Sequence, residues 1–360
     1  MRTLRTVRTT ILVALLTAVG LAASSTAAAG AERQWANWRG PLHTGEAPHA
    51  DPPIRWSESE NVRWKVAIPG HGLASPVVWN DRVFVMTSVP ADTAAYDASR
   101  KKAADKLERK EWPPSVDPVA QRFMLVALAR ADGRVLWERV AREVVPHESH
   151  YIDSSWASGS PVTDGTRVIA HFGSFGTYAY DLDGKLLWSV DLGDMTTRNG
   201  FGEGASPALH DDTVVINWDH EGDSFVVALD AATGKERWRT ARPDEVTSWA
   251  TPLVVRVGDG DQVVIPATGE SRAYDLETGR ELWSLGGMTV NTIPSPVEVD
   301  GVVYLTSGFR GNMLQAVALA GATGDLEGSP AVRFSHDRDT PYVPSLLVTG
   351  GRIYMIKHYK

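Results

Sequence analysis

Ala228-Leu-Asp-Ala-Ala-Thr-Gly-Lys-Glu-Arg-Trp238 and, 45 residues on, Ala273-Tyr-Asp-Leu-Glu-Thr-Gly-Arg-Glu-Leu-Trp283 are two copies of one pattern. Apolar residues alternate into the acidic position (Phe225, Val227 and Leu229 before Asp230), a Thr-Gly turn follows, and a second strand carries the tryptophan. That is a hairpin: the aspartate accepts from the turn's own amides, and Gly234 takes the left-handed conformation of a bulged three-residue loop. Weaker copies flank these two. Ala127 to Trp137 keeps Gly133 and the tryptophan, Ala179 to Trp188 is one residue shorter, and Ala318 to Gly328 keeps Thr323-Gly324 without the aromatic. Trp137, Trp188, Trp238 and Trp283 are 51, 50 and 45 residues apart, the spacing of one four-stranded propeller blade per repeat. Each indole is then placed to dock across the neighbouring blade, burying about 150–250 Å².

A second unit precedes each hairpin: Ser75-Pro76, Ser160-Pro161, Ser206-Pro207, Thr251-Pro252 and Ser295-Pro296, with Ser345-Leu346 as a sixth copy lacking proline. Proline cannot donate to a ladder, so it belongs where an inner strand begins at an edge. The expected fold is an all-β propeller of four-stranded antiparallel blades, with about five and a half blades present. Residues 91–122 are expected as a charged, partly helical insertion between the second and third strands of the first blade. Val62 to Val66 resembles an outer strand that would complete the last blade, yet the sixth copy ends near Lys360. The expectation is therefore a C-terminally truncated piece of a seven- or eight-bladed ring.

Composition bounds the function. Arg2, Arg5 and Arg8, an apolar run from Ile11 to Ala23, and small residues to Ala31 read as a secretory signal peptide over 1–31, leaving 32–360 as the propeller domain. An exported, periplasmic or extracellular protein is expected, with no membrane span in the mature chain. Loss of the leader's three arginines takes the formal charge from −8 to −11, against nucleic-acid binding. With no cysteine there is no disulfide, no thiolate metal site, no cysteine nucleophile and no lipidated N-terminal cysteine.

The Asp-x-x-Thr-Gly-x-x-x-Trp copies resemble the tryptophan-docking motifs of the PQQ-like (pyrroloquinoline quinone-like) β-propeller repeat family. Trp35-Ala-Asn-Trp-Arg-Gly-Pro41, Thr197-Arg-Asn-Gly-Phe-Gly-Glu-Gly204 and Asn217-Trp-Asp-His-Glu-Gly-Asp-Ser224 are similar to stretches of its secreted branch. The family includes quinoprotein dehydrogenases and the propeller of the outer-membrane Bam assembly lipoprotein. The former stack their quinone on a ring of adjacent cysteines and the latter is anchored through a cysteine, so neither role transfers directly.

Blade geometry puts B–C and D–A connections on one face, and the residues unlike repeat scaffold fall there. D–A connections supply His147, His150, Asp153, Arg198, Asn199, Glu203, Asn291, Arg338 and Asp339, and B–C connections supply Asp219, His220, Glu221, Asp223 and Arg310. Trp249 and Tyr342 offer stacking surfaces. The leading expectation is a non-catalytic binding or scaffold module using this face for a protein or small-molecule ligand. A second is a quinoprotein-type oxidoreductase in which Asp219, Glu221 and Asp223 hold Ca²⁺ and Arg310 or Arg198 polarises PQQ. A third is a Bam-type assembly scaffold. No G-x-S-x-G, H-E-x-x-H or phosphate loop stands in a supporting context.

Overall fold

The computed structural model describes residues 34–357, so the leader expected over 1–31 lies outside the described residues. Five antiparallel sheets follow one another, each with its strands in the order A, B, C, D. Blade 1 is Val77–Trp79, Arg82–Pro90, Gln121–Ala129 and Val135–Val144. Blade 2 is Val162–Thr163, Arg167–His171, Thr177–Asp181 and Leu186–Val190. Blade 3 is Ala208–His210, Thr213–Trp218, Phe225–Asp230 and Glu236–Ala241. Blade 4 is Leu253–Val257, Gly260–Ile265, Glu270–Asp275 and Glu281–Gly286. Blade 5 is Val297–Val299, Val302–Ser307, Met313–Ala318 and Val332–His336. A hairpin of Leu347–Thr349 and Arg352–Tyr354 begins a sixth. Among the described residues no helix is long and apolar enough to cross a membrane.

The repeat works as its turn chemistry requires. Asp230 Oδ1 accepts from Thr233 N (2.9 Å) and Thr233 Oγ1 (2.7 Å), and Asp275 does the same with Thr278 (2.8 and 2.6 Å). The first alanine and the tryptophan of each copy are cross-strand partners, Ala228↔Trp238 and Ala273↔Trp283, with a register shift one residue later. A buried methyl faces a large ring there, which lets neighbouring sheets pack without a void.

Each of three indoles then donates into the next blade's C–D turn: Trp137 Nε1 to Leu182 O (2.9 Å), Trp188 Nε1 to Ala231 O (2.9 Å) and Trp238 Nε1 to Leu276 O (2.8 Å). Gly234 has φ +71°, and a Cβ there would stand 2.7 Å from the Trp188 ring, so the turn needs glycine for both conformation and contact. Trp64 occupies the same position on blade 1, donating to Arg130 O (2.9 Å).

Trp283 departs from this geometry. The C–D connection of blade 5 is long, and its Gly324–Asp325 pairs parallel with Trp283–Ser284 as a fifth strand on blade 4. The ring is buried against Leu319, Ala322, Leu326 and Ala331 of that connection, and its N–H goes to Gln262 Oε1 (3.3 Å). The docking is kept; the carbonyl partner is replaced by apolar cover.

The Ser-Pro units make a second seam. Ser75 N donates to Ser160 Oγ (2.9 Å), Ser160 N to Ser206 Oγ (2.9 Å), Ser206 N to Thr251 Oγ1 (3.2 Å), Thr251 N to Ser295 Oγ (2.9 Å), and Ser295 N to Ser345 Oγ (3.0 Å). Every inner strand is thus tied to the next through the hydroxyl of the repeat. The sixth copy has Leu346 in place of proline, and its Ser345 still serves as the acceptor.

Residues 35–44 enter the channel near the A–B turns of blades 1 and 2 and run inward along the inner strands. Trp35 and Val78 exchange backbone bonds (3.0 and 2.7 Å), Thr163 N donates to Ala36 O (2.9 Å), and Arg39 reaches Leu346 O (2.5 Å). Residues 37–43 also face the proline-led starts of blades 3, 4 and 5.

In the insertion, α1 (Thr93–Glu108) is capped by Asp92, whose Oδ1 accepts from Ala95 N (3.0 Å). Its buried Tyr96 packs on His71, His150 and Trp156 (centroids 4.8, 6.5 and 6.2 Å), tying the helix to the connection between blades 1 and 2.

Thr251→Val keeps the shape of the side chain but leaves Ser206 N–H without its acceptor. The variant is expected to unfold in urea with about 1–3 kcal/mol less stability and an unchanged slope, whereas Thr251→Ser stays near wild type.

Candidate functional site

On the B–C/D–A face, the connections entering blades 2, 3 and 4 border a narrow, open cleft. Trp156 comes from the connection between blades 1 and 2, Glu203 from that between blades 2 and 3, and Thr247, Ser248 and Trp249 from that between blades 3 and 4. His171, Asn217 and Asp219 come from the ends of B strands.

The indoles are fixed by their own N–H groups: Trp249 Nε1 donates to Gly202 O (2.7 Å) and Trp156 Nε1 to Glu148 O (3.0 Å). The hydroxyls are committed as well. Thr197 Oγ1 donates to Glu148 (2.8 Å), Thr247 Oγ1 to Glu221 (2.9 Å), Ser248 Oγ to Pro266 O (3.2 Å) and Ser158 Oγ to Ser155 O (2.8 Å).

Glu203 is seated on the turn after strand B of blade 2, accepting from Ser174 N (2.7 Å) and Ser174 Oγ (2.5 Å). Gly173 in that turn has φ +59°, and any Cβ there would collide with the carboxylate. Burial pushes the Glu203 carboxyl up to about 7, against the pull of its two bonds from Ser174. His171 donates or accepts at Nδ1 with Thr177 Oγ1 (2.8 Å), and burial pushes its imidazole down to about 4, so it stands neutral.

Asn217 is 2% exposed; its Nδ2 leans on Ala250 O (3.4 Å), and its Oδ1 has no partner. Asp219 is fully buried in a two-pronged pair with Arg242 (2.7 and 3.1 Å), whose remaining nitrogen donates to Tyr274 OH (2.6 Å). Burial works against the Arg242 charge, but Asp219 outweighs it and holds the guanidinium above its ordinary value.

The expected site residues therefore divide. Glu203 and Trp249 meet in the cleft, as does Asp219. The trio Asp219, Glu221 and Asp223 is not gathered as a metal site: Asp219 faces Arg242, Glu221 takes the Thr247 hydroxyl, and Asp223 is exposed. Among the described residues no group of three or more His, Asp or Glu side chains is arranged to hold a metal ion. The buried Arg242 guanidinium occupies both oxygens of Asp219, one of the three carboxylates expected to offer ligands.

His147 lies beside the cleft with Nε2 on Met195 O (2.8 Å); His150 is buried edge-on to Trp156 (4.3 Å). His220 reaches from the B–C connection of blade 3 to the connection between blades 2 and 3, its Nδ1 accepting from Thr196 N (3.1 Å). Arg198 gives its backbone N–H to Thr247 Oγ1 (2.9 Å), and Asn199 is exposed in the same tight turn at φ +55°. Asn291, Tyr342 and Arg310 form a separate group at blades 5 and 6, with Asn291 Nδ2 to Tyr342 OH (3.3 Å), Tyr342 stacked on Phe309 (4.8 Å) and the Arg310 guanidinium over Phe309 (5.4 Å). Asp153 and Arg338 are exposed, and Asp339 pairs with Lys357 (2.6 Å).

Asn217, His171, Trp156 and Arg242 were not singled out from the sequence. A polar residue ending an apolar B strand, as in Arg167–His171 and Thr213–Trp218, is the signal that marks the first two.

Comparison with known proteins follows this geometry. The family described as outer membrane protein assembly factor BamB matches residues 54–200 and 175–360. Among solved structures, BamB from Moraxella catarrhalis is 19% identical over 57% of this chain and 60% of its own length, TM-score 0.39. The chain thus spans about 60% of that relative. A europium-containing methanol dehydrogenase is 12% identical over 89% of this chain and 81% of its own, TM-score 0.53. The quinohemoprotein alcohol dehydrogenase from Comamonas testosteroni is 13% identical over 91% and 72%, TM-score 0.51. The two dehydrogenase likenesses carry the fold alone. No curated protein sequence matches significantly.

With His171 neutral at an imidazole value of about 4, against about 6.5 in the unfolded chain, its contribution is complete above pH 6.5 and is lost as pH falls toward 4. The full linkage is about 3 kcal/mol as an upper figure. Urea midpoints should drop across that window, and, because burial lowers His43 and His150 to about 4 as well, His171→Gln should remove about a third of the drop.

Proposed function

Because this chain belongs to the PQQ-like repeat propeller family described as outer membrane protein assembly factor BamB, we propose that it is an exported binding module that takes up its ligand in the cleft between blades 2 and 4. The observation that carries this reading is the pair of indoles, Trp156 and Trp249, each fixed by its N–H at the border of one cleft that also holds the unpartnered Asn217. Flat, fixed aromatic surfaces beside a few polar groups are the usual make-up of a ligand pocket.

The cleft's hydroxyls donate either to main-chain carbonyls or to Glu148 and Glu221, and each of these carboxylates also accepts the same threonine's backbone N–H (2.9 and 3.4 Å), an anchoring role that favours capture over turnover. The quinone reading of the dehydrogenases with this fold is less well supported. PQQ is a planar tricarboxylate, and no lysine or arginine is among the residues lining the cleft. Glu203 would face it instead, and the acidic turn offers no free set of oxygens for the calcium ion.

The test is a crystallographic fragment soak with chemically mixed fragments. Density is expected between Trp156 and Trp249, and Trp249→Ala should weaken the same fragments at least tenfold in solution. Fragments confined to the A–B/C–D face, or untouched by Trp249→Ala, would sink the reading.

A further inference from the structure

We propose that the cleft is a receptor site for an organic ammonium ion, a ligand with a protonated primary amine next to a flat apolar group. The inference rests on the cleft reading above and names its ligand class.

The warrant is an imbalance of donors and acceptors. Every indole and hydroxyl proton of the lining described above goes to a protein oxygen. What remains is acceptor capacity. Asn217 Oδ1 has no partner although the residue is 2% exposed, and the amide orientation is supported by Ala250 O beside Nδ2. Glu203 makes no ion pair among the described residues, and its two bonds from Ser174 leave further lone pairs open. A buried acceptor without a donor costs free energy that a ligand N–H recovers on binding.

Charge points the same way. Asp219 is neutralised by Arg242, and His171 is held neutral by burial, so Glu203 is the uncompensated group of the lining. A ligand carboxylate or phosphate would find no cation there. An ammonium would find Glu203 with the indoles of Trp156 and Trp249 at the border, aromatic groups that attract cations, and the Asn217 oxygen buried beneath the cleft's surface.

The site also acquires a pH response. Burial raises the Glu203 carboxyl to about 7, and His147 and Glu148 flank it from the connection between blades 1 and 2 with opposite effects. Ser174 faces it from blade 2, and Asp219 is already matched by Arg242. Glu203 is mostly protonated at pH 6 and mostly ionised at pH 8, so an ammonium should bind about tenfold tighter at the higher pH.

The experiment compares benzylammonium, benzyl alcohol and benzoate by calorimetry on the full chain at pH 6, 7 and 8. Benzylammonium is expected to bind at least tenfold tighter than the alcohol, benzoate not at all, and its binding at pH 7 to release about half a proton, read from buffers of different ionisation heat. Glu203→Gln, checked for its β-sheet spectrum, should abolish the pH dependence and the proton release, whereas His147→Gln keeps both. Should the alcohol or the benzoate bind as tightly, or should mixed fragments occupy the cleft while benzylammonium does not bind, the ammonium reading is wrong and the cleft reading stands. If nothing enters the cleft, both fall.

Discussion

The bond from one inner strand's N–H to the hydroxyl of the next, Ser75 to Ser160 and onward to Ser345, is the constraint from which the rest of the ring follows. It joins residues 85, 46, 45, 44 and 50 positions apart by the same short contact, so each blade meets its neighbour at the same depth. Proline immediately after the hydroxyl residue strengthens this arrangement. It holds that residue extended and removes a donor that would otherwise need a partner at the channel wall. The tryptophans act at the opposite radius, where Trp137, Trp188 and Trp238 clamp the outer strands onto the next turn. Two seams, one polar and inner, one aromatic and outer, leave a blade little freedom to tilt.

That rigidity is what makes a cleft possible. The residues lining it come from three D–A connections and two B-strand ends, and each connection is pinned at a blade boundary. Glu148 holds Thr197, Thr247 receives the Arg198 N–H, and Trp249 reaches back to Gly202. Glu245 does the same within blade 4, accepting from Gly269 N, Glu270 N and Arg272. The polar side chains of the face are thus mostly consumed in holding the loops. The unpartnered Asn217 oxygen and the unpaired Glu203 stand out because their neighbours have already found partners.

The fold was legible because its signals are local. Asp230, Thr233 and Gly234 sit within five residues and act on one another, so turn, bulge and strand can be read from the stretch that forms them. The role of the serines was not legible. Ser206 before Pro207 looks like any strand start until Ser160 and Thr251 are seen on either side of it. The site was half legible for the same reason: loop position alone marked Glu203 and Trp249. Asp219 was marked too, but as an open ligand, because nothing in Asn217-Trp-Asp-His-Glu shows that Arg242 will enter the same hole from strand D's end. An acidic turn and a buried ion pair have the same sequence on one side.

The two ends of the channel differ in kind, and the difference bears on what the cleft can admit. From the A–B end inward, residues 35–43 bond to blades 1, 2 and 6 and face the proline-led starts of blades 3, 4 and 5, so the chain's own backbone occupies that part of the channel. At the other end α1 from the insertion leans over one side only, with Tyr96 against Trp156 and His150. Tyr96 packs against Trp156, while Trp249 is held by its bonds to Gly202 and Thr292. A ligand entering from solvent meets one wall backed by a helix and one held by a glycine-rich connection. For a ligand of the proposed kind, the Trp249 side is where Gly202 and Gly204 leave the backbone conformational freedom, next to Glu203.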